Sequence, residues 1–299
     1  YRWTATATPA PNDYRQLIYF ADFLDAMDDG QALTRWFGRN PDKAGDLQLL
    51  PHMEQEFWLW VASWALFVER PSDLGYDDTG YVMPELEIIW HRLAADHAKA
   101  HDLTDQNGQG FLFKDTAAGV QQAMREKRDS LNDRMTAALD IAESLADDEQ
   151  FVVWCDLNDE QDAIERGLKA LGISFASVRG SQSPDQQDDL LESWLDGKAR
   201  ALVSKTTMLG SGVNLQQAHI AIYAGINFKF RDFIQSIHRL QRYGQTNTVQ
   251  IHIIHTDAED HVVDVLMKKW KQHDEMVERM RAIVKKYGLT NEALASEMR

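Results

Sequence analysis

The chain is poor in cysteine: Cys155 stands alone among 299 residues. No internal disulfide can form, and this usage fits a reducing cytoplasm. No apolar run approaches the ~20 residues of a membrane-spanning helix, and no secretory signal pattern opens the chain. Clusters with zinc-finger spacing are absent as well. His91, His219, His252 and His255 lack a convincing set of further ligands, so no metal site is expected. No Gly-X-X-X-X-Gly-Lys-Ser/Thr loop for phosphates occurs, and no Asp-Glu-X-His acidic motif. Positive charge is scarce too. Lys and Arg number 31 against 47 Asp and Glu, a net charge of −16, which opposes indiscriminate binding to a phosphate backbone. The first residue is Tyr1 rather than Met, as expected of a processed product or an excised fragment.

What is present is globular: 44% hydrophobic residues and nine tryptophans, in a chain long enough for one large or two modest cores. From about Val152 the pattern alternates between strand and helix. Phe151 to Cys155 is a continuous apolar run of strand length, suited to a sheet covered on both faces. Asn158 opens a helix that ends at Leu171, with Gly172 as its stop. Ile173 to Val178 reads as a strand. Ser183-Pro184-Asp185-Gln186 supplies an N-cap, a proline at the first helical position and a Gln that reaches back, and that helix stops at Gly197. Ala201 to Ser204, Ile220 to Ala224 and Val249 to His255 are further strands. Thr256 to Glu259 forms a capping box for a long charged helix running to about Tyr287. Repeated strand–helix units predict a parallel sheet with right-handed crossovers, a doubly wound α/β unit.

The first half differs. Residues 14–70 have helical periodicity and a dense aromatic set, Trp36, Phe37, Phe57, Trp58, Trp60, Trp64 and Phe67, which reads as helical core rather than a base-stacking platform. Pro71 to Pro84 is a loop, Leu86, Ile88 and Trp90 mark a strand, and Asp96 to Gly110 has loop composition. Met124, Leu131, Met135, Ala138, Ala142 and Leu145 share one helix face. Arg125, Lys127, Arg128 and Arg134 form a basic stretch with two readings, a solvated helix face or a track for a DNA backbone.

Chemistry concentrates in four segments. Thr6-Ala7-Thr8-Pro9 is a strand-to-turn junction. Arg179-Gly180-Ser181 follows a strand, with a full charge beside a glycine that lets backbone amides approach closely; a solvated turn reads equally well. Lys205-Thr206-Thr207-Met208-Leu209-Gly210-Ser211-Gly212-Val213-Asn214-Leu215 places hydroxyls and glycines after a buried strand. Gln235-Ser236-Ile237-His238-Arg239-Leu240-Gln241-Arg242-Tyr243-Gly244-Gln245 sets two arginines three apart, on one side of an expected helix. Lys229 and Arg231 add to this local basic face on an acidic body.

In this order the segments resemble the closing motifs of superfamily-two helicases, most of all the chromatin-remodeller branch of DNA translocases. A weaker similarity, carried by Phe228 to Tyr243 and Arg125 to Leu131, is to helicase portions of bacterial and phage DNA-methylase or restriction systems. Departures are Gln187 where the family often has Arg, Leu209 and Ser211 in place of smaller or apolar residues, and Phe228 in place of Trp. The resemblance implies a RecA-like parallel sheet flanked by helices, preceded by a mostly helical segment from the end of the first motor lobe. The implied division is 1–75 for the end of that lobe with a helical insertion, 84–275 for the second RecA-like lobe, and 276–299 for a helical extension.

By the same resemblance, Arg239 and Arg242 are catalytic arginine fingers with Gln235 beside the γ-phosphate. Gly210, Gly212 and Asn214 lie next to the nucleotide, and Arg179, Gly180, Ser181, Lys205 and Thr206 meet the DNA backbone. Thr6 and Thr8 couple ATP state to lobe closure. Arginine suits the finger role because its planar guanidinium stays charged and bonds two oxygens. ATP and Mg2+ are the implied cofactors, held mainly by an N-terminal RecA-like lobe that this chain lacks. Double-stranded DNA, that lobe, and a methylase or nuclease domain are the implied partners, with no membrane. The expected function is the C-terminal half of a DNA-dependent ATPase whose isolated activity is negligible. The alternative is a RecA-like module retained for DNA or protein docking. An unrelated α/β enzyme, such as a nucleotide-sugar transferase, explains none of the ordered motifs.

Overall fold

The computed structural model describes residues 1–41, 45–94, 130–210 and 212–288. Two compact units divide the chain: Met83–Leu266, and Tyr1–Val82 together with Met267–Arg299.

The helical unit contains α1 (Arg15–Phe23), α2 (Asp29–Trp36), a short antiparallel hairpin of β1 (Phe37–Arg39) and β2 (Leu47–Leu49), and α3 (Glu54–Trp64). Asp28 caps α2 through a carboxylate that accepts from Gln31 N–H, the usual remedy for an orphan first-turn donor. Phe57, Trp58, Trp60 and Trp36 are buried, and the rings of Trp36 and Trp60 stack 4.3 Å apart. Core packing therefore explains these aromatics. The hairpin was not legible, because strands of three residues carry no readable period.

The α/β unit holds β3 (Leu86–Leu93), α4 (Leu131–Ser144), β4 (Phe151–Cys155), α5 (Asn158–Ala170), β5 (Phe175–Ser177), α6 (Pro184–Leu195), β6 (Ala201–Lys205), α7 (Thr206–Leu209), β7 (Ile220–Tyr223), α8 (Phe230–Ile237), β8 (Val249–Thr256) and the start of α9 (Asp260–Tyr287). The sheet order is β3-β8-β7-β4-β6-β5, every neighbouring pair parallel. This is the RecA-like parallel sheet flanked by helices that the sequence predicted. Phe151, Val153 and Cys155 pack with Met135, Ala138, Ile164 and Leu168 of α4 and α5. On the opposite face Trp154 neighbours Tyr223, whose hydroxyl meets Ser236 Oγ at 2.6 Å under α8.

The expected caps appear. Ser183 Oγ accepts from Gln186 N–H while Gln186 Oε1 accepts from Ser183 N–H, and Glu259 accepts from Thr256 N–H. At α5 the cap differs from expectation. Leu157 is the N-cap, and Glu160 Oε2 accepts from the amides of Asp156 and Leu157. The strand expected over Ile173 to Val178 is limited to Phe175–Ser177. Arg125, Lys127, Arg128, Met124 and the Asp96 to Gly110 segment lie outside the described residues.

Arg134 requires a correction. Neither a solvated face nor a DNA track, it is fully buried and ion-paired to Glu160 at 2.7 Å. Its position i+3 from Leu131 and i−4 from Ala138 puts it on the apolar face of α4. A charge forced inward must find a partner.

Candidate functional site

The signature segment, Gln235 to Gln245, begins on α8, where Phe230, Phe233, Ile234, Ser236 and Ile237 are buried. The helix ends at Ile237, so Arg239 and Arg242 occupy the following turns rather than one face of a helix. The reason is tertiary. The Arg239 carbonyl accepts from Leu215 N–H at 3.1 Å, a bond across chain segments that replaces continuation of the helical ladder. Gly244 then adopts φ +92.

The Arg239 side chain returns the contact. Its Nε donates to the Gly210 carbonyl at 3.1 Å and its Nη1 to the Val213 carbonyl at 3.3 Å. Partial burial and the nearby charge of Arg242 both lower its proton affinity, although a guanidinium remains charged. Gln245 holds the far end of the same loop, donating to the carbonyls of Gln216 at 2.8 Å and Ala218 at 3.3 Å. Asn214 Oδ1 accepts from Gln216 N–H, so its side chain shapes the turn. Gly212 has φ +86, a conformation that costs other residues about 1–2 kcal/mol. Ser211 lies outside the described residues.

Arg242 behaves differently. It is half-buried, and no hydrogen bond or ion pair joins its guanidinium to another described residue. Gln235 sits half-buried on α8, one turn before Arg239.

The Arg179 segment follows β5, next to β6. The position of a Cβ on Gly180 would lie 3.5 Å from Met208 Sδ on α7. The fold thus brings the segment after β5, at Gly180, alongside α7, which starts at Thr206 directly after Lys205 at the end of β6. Arg179 is not free, however: it pairs with Asp162 at 2.6 Å and Glu165 at 2.5 Å. Burial lowers its proton affinity, but the two carboxylates outweigh burial and raise it. Gln187 donates to the carbonyls of Arg179 and Gln182 and braces the loop. Trp194 is buried and belongs to the core.

Thr6 and Thr8 lie in the helical unit, where Thr6 Oγ1 accepts from Thr8 N–H at 3.1 Å and Thr8 is buried. Cys155 is buried at the end of β4, and burial, reinforced by Glu160, holds its thiol well above the ordinary value, which disfavours the reactive thiolate. Among the described residues no group of three or more His, Cys, Asp or Glu could hold a metal ion, and no helix is long and apolar enough to cross a membrane.

Sequence reasoning missed the buried Arg134–Glu160 pair, its contacts with Asp156, Leu157 and Ala224, and the bond between Asp156 and Asn227. The available signal was the alignment of Arg134 with Leu131 and Ala138 on one face of α4.

Residues 131–244 match the family described as Helicase conserved C-terminal domain. Among curated proteins, "ATP-dependent RNA helicase FAL1" of Kluyveromyces lactis is 28% identical over 96 residues, covering 32% of this chain and 24% of that protein. "ATP-dependent RNA helicase DBP3" of Saccharomyces cerevisiae is 26% identical over 119 residues, covering 40% and 22%. The matched stretch thus spans about a quarter of these relatives. Solved structures with a similar chain path include the C-terminal part of the Fun30 ATPase domain (TM-score 0.41, 20% identity, 49% of this chain and 52% of that one). A DEAD box protein of Methanococcus jannaschii gives a TM-score of 0.42 at 16% identity, covering 47% and 37%. Over residues 131–244 the α/β unit is thus similar to the helicase conserved C-terminal domain.

Proposed function

We propose that this chain is the C-terminal motor half of an ATP-dependent double-stranded DNA translocase, with Arg242 as the arginine that meets the γ-phosphate of an ATP held by a preceding RecA-like lobe. The observation that supports this reading most directly is the contrast within the signature segment. Arg239 is consumed by loop carbonyls, whereas Arg242 has no partner among the described residues. A guanidinium without a partner is suited to the charge that accumulates on phosphoryl oxygens in the transition state, where such a group is worth roughly 10³–10⁵ in rate. Arg239 then holds the Gly210–Val213 loop in register with the nucleotide, and Gln235 lies one turn away.

ATP is the fuel in this reading. Mg2+ would have to be held by the preceding lobe, since no described cluster here suits it, and no step is assigned to it. Thr6 and Thr8 would sense closure of the lobes. Arg179, Gly180, Ser181, Lys205 and Thr206 would follow the nucleic-acid backbone, along which reopening advances the lobes. A methylase or nuclease domain would be a partner of the restriction-system type.

A second reading, RNA in place of duplex DNA, is favoured by the curated relatives, whose names specify RNA helicases. A third, a docking module without turnover, is favoured by the absence of a phosphate-binding lysine loop.

The test is steady-state ATP hydrolysis by the chain joined to its preceding lobe, with duplex DNA or single-stranded RNA as activator. Duplex-stimulated turnover that falls roughly 10³-fold or more in Arg242→Ala, with nucleic-acid affinity retained, is the expected result. Stimulation by RNA alone selects the second reading, and turnover indifferent to Arg242→Ala overturns the finger assignment. This chain by itself is expected to hydrolyse ATP negligibly.

A further inference from the structure

A continuous polar path runs from the buried ion pair to the start of the signature helix. Arg134 Nη1 donates to Glu160 Oε1 at 2.7 Å and also to the Ala224 carbonyl just beyond β7. The other oxygen of that carboxylate accepts from Asp156 N–H at 2.7 Å and Leu157 N–H at 3.0 Å. The Asp156 side chain in turn accepts from Asn227 Nδ2 at 2.6 Å, and Asn227 Oδ1 accepts from Lys229 N–H at 2.8 Å. Lys229 is the N-cap of α8. At this carboxyl edge of the sheet, β4 and β7 are tied to α4, α5 and α8 by one set of bonds.

We infer that Asp156 and Asn227 are positioning residues, which transmit the fixed geometry of the Arg134–Glu160 pair to α8 and so set the placement of Arg239 and Arg242. The inference rests on the finger reading of Arg242 for its consequence in catalysis, but not for its structural content. Two features carry it. First, the anchor cannot drift: both ion-pair side chains are wholly buried and each has a further backbone partner, and a buried pair holds its geometry because separation strands a charge. Second, α8 has no side-chain N-cap of its own. The Asn227 carboxamide supplies the bond to Lys229 N–H, one residue outside the helix, and the other end of the same carboxamide is fixed on Asp156.

The bond between Asp156 and Asn227 is directional, which gives a reciprocal test. Asn227→Asp sets two carboxylates where one donor faced one acceptor. The exchange Asp156→Asn with Asn227→Asp restores a donor opposite an acceptor and leaves a carboxylate oxygen for Lys229 N–H. The variants are made in the chain joined to its preceding lobe, and two readouts are taken. In the first, kcat and KM for ATP are measured. Asn227→Asp should lower kcat about ten- to hundred-fold, the scale of a small misplacement of a catalytic group, with KM changed less than about twofold. The exchanged pair should recover most of the loss. In the second, amide hydrogen exchange over Phe230–Ile237 should quicken in Asn227→Asp and return to the wild-type rate in the exchanged pair.

Rescue of both readouts supports the inference. A silent Asn227→Asp, or an exchanged pair as impaired as the single variant, overturns it. If the wild-type protein shows no ATP turnover, the proposed function fails, and exchange over Phe230–Ile237 still decides whether Asp156 and Asn227 position the helix.

Discussion

Gly225 gives the sharpest quantitative test of the buried pair. A Cβ there would lie 2.6 Å from Glu160 Oε1, 2.8 Å from Arg134 Nη1 and 2.9 Å from Glu160 Oε2. An unobstructed Gly→Ala replacement stabilises by about 0.4–1 kcal/mol, because the unfolded chain loses freedom. Here the sign should reverse. The obstructing atoms are side-chain tips, which usually swing away, but these are pinned by the Asp156 and Leu157 amides and by the Ala224 carbonyl. Retreat by either partner weakens a bond between two fully buried charges.

Overpacking alone costs about 1–3 kcal/mol, and breaking a buried pair about 3–5 kcal/mol. A partial separation should therefore destabilise by about 2–4 kcal/mol net. At about 2–4 °C per kcal/mol for a unit of this size, the melting temperature should fall by roughly 4–16 °C. Heat and urea unfolding of the full chain, followed by circular dichroism, measure the change. A cycle with Glu160→Ala isolates the cause: in that background two of the three obstructing atoms are gone and only Arg134 Nη1 remains, so the cost of the added methyl should shrink. A Gly225→Ala protein that melts at or above the wild-type temperature would refute the reasoning.

Two further outcomes follow from the charges. His91 Nε2 and His252 Nδ1 are 2.9 Å apart on β3 and β8, and burial holds both imidazoles below the ordinary value of 6.5; Glu87 partly offsets this for His252. Below that value the unfolded chain takes up protons that the folded pair resists, so stability should decline as pH falls through 6.5. His91→Gln should flatten that decline in urea titrations between about pH 7 and pH 5, and an unchanged slope would contradict it. For Arg179, the double change Asp162→Asn with Glu165→Gln should tighten nucleic-acid binding and steepen its salt dependence by about one unit. Adding Arg179→Ala should cancel that gain in filter-binding titrations, and a gain that survives would show that Arg179 is not the phosphate contact.

The sheet was legible because its strands announce themselves. Phe151 to Cys155, Ala201 to Ser204 and Ile220 to Ala224 are apolar throughout, as required where both faces are covered, and Ser183-Pro184 fixes a helix start locally. What escaped was decided by distant partners. The end of α8 depends on Leu215 N–H reaching the Arg239 carbonyl, and no neighbour in sequence encodes that bond. Arg134 was read with the basic residues before it because charge outweighed periodicity in the reading, although its partner Glu160 lies 26 positions away. The three-residue strands β1 and β2 fell below any detectable period. At the candidate site, the two arginines were readable in sequence, but the contacts that distinguish them were not. Which of two arginines braces a loop depends on where the carbonyls of Gly210 and Val213 come to rest.

That distinction bears on how a chain with a net charge of −16 could engage polyphosphate. Total charge sets long-range attraction, whereas a phosphate at contact distance responds to the nearest uncompensated cation. Within the α/β unit, Arg134, Arg179 and Arg92 are each matched to carboxylates, and Arg239 is spent on carbonyls. The same acidity that would repel a nucleic-acid backbone thus neutralises three arginines of this unit, whereas the guanidinium of Arg242 has no hydrogen-bond or ion-pair partner among the described residues. Under the proposed function, a strongly acidic body favours a ligand delivered by a preceding lobe over one captured from solution, since delivery does not depend on long-range attraction. Raising ionic strength should accordingly weaken nucleic-acid binding more than it weakens the contribution proposed for Arg242 to turnover.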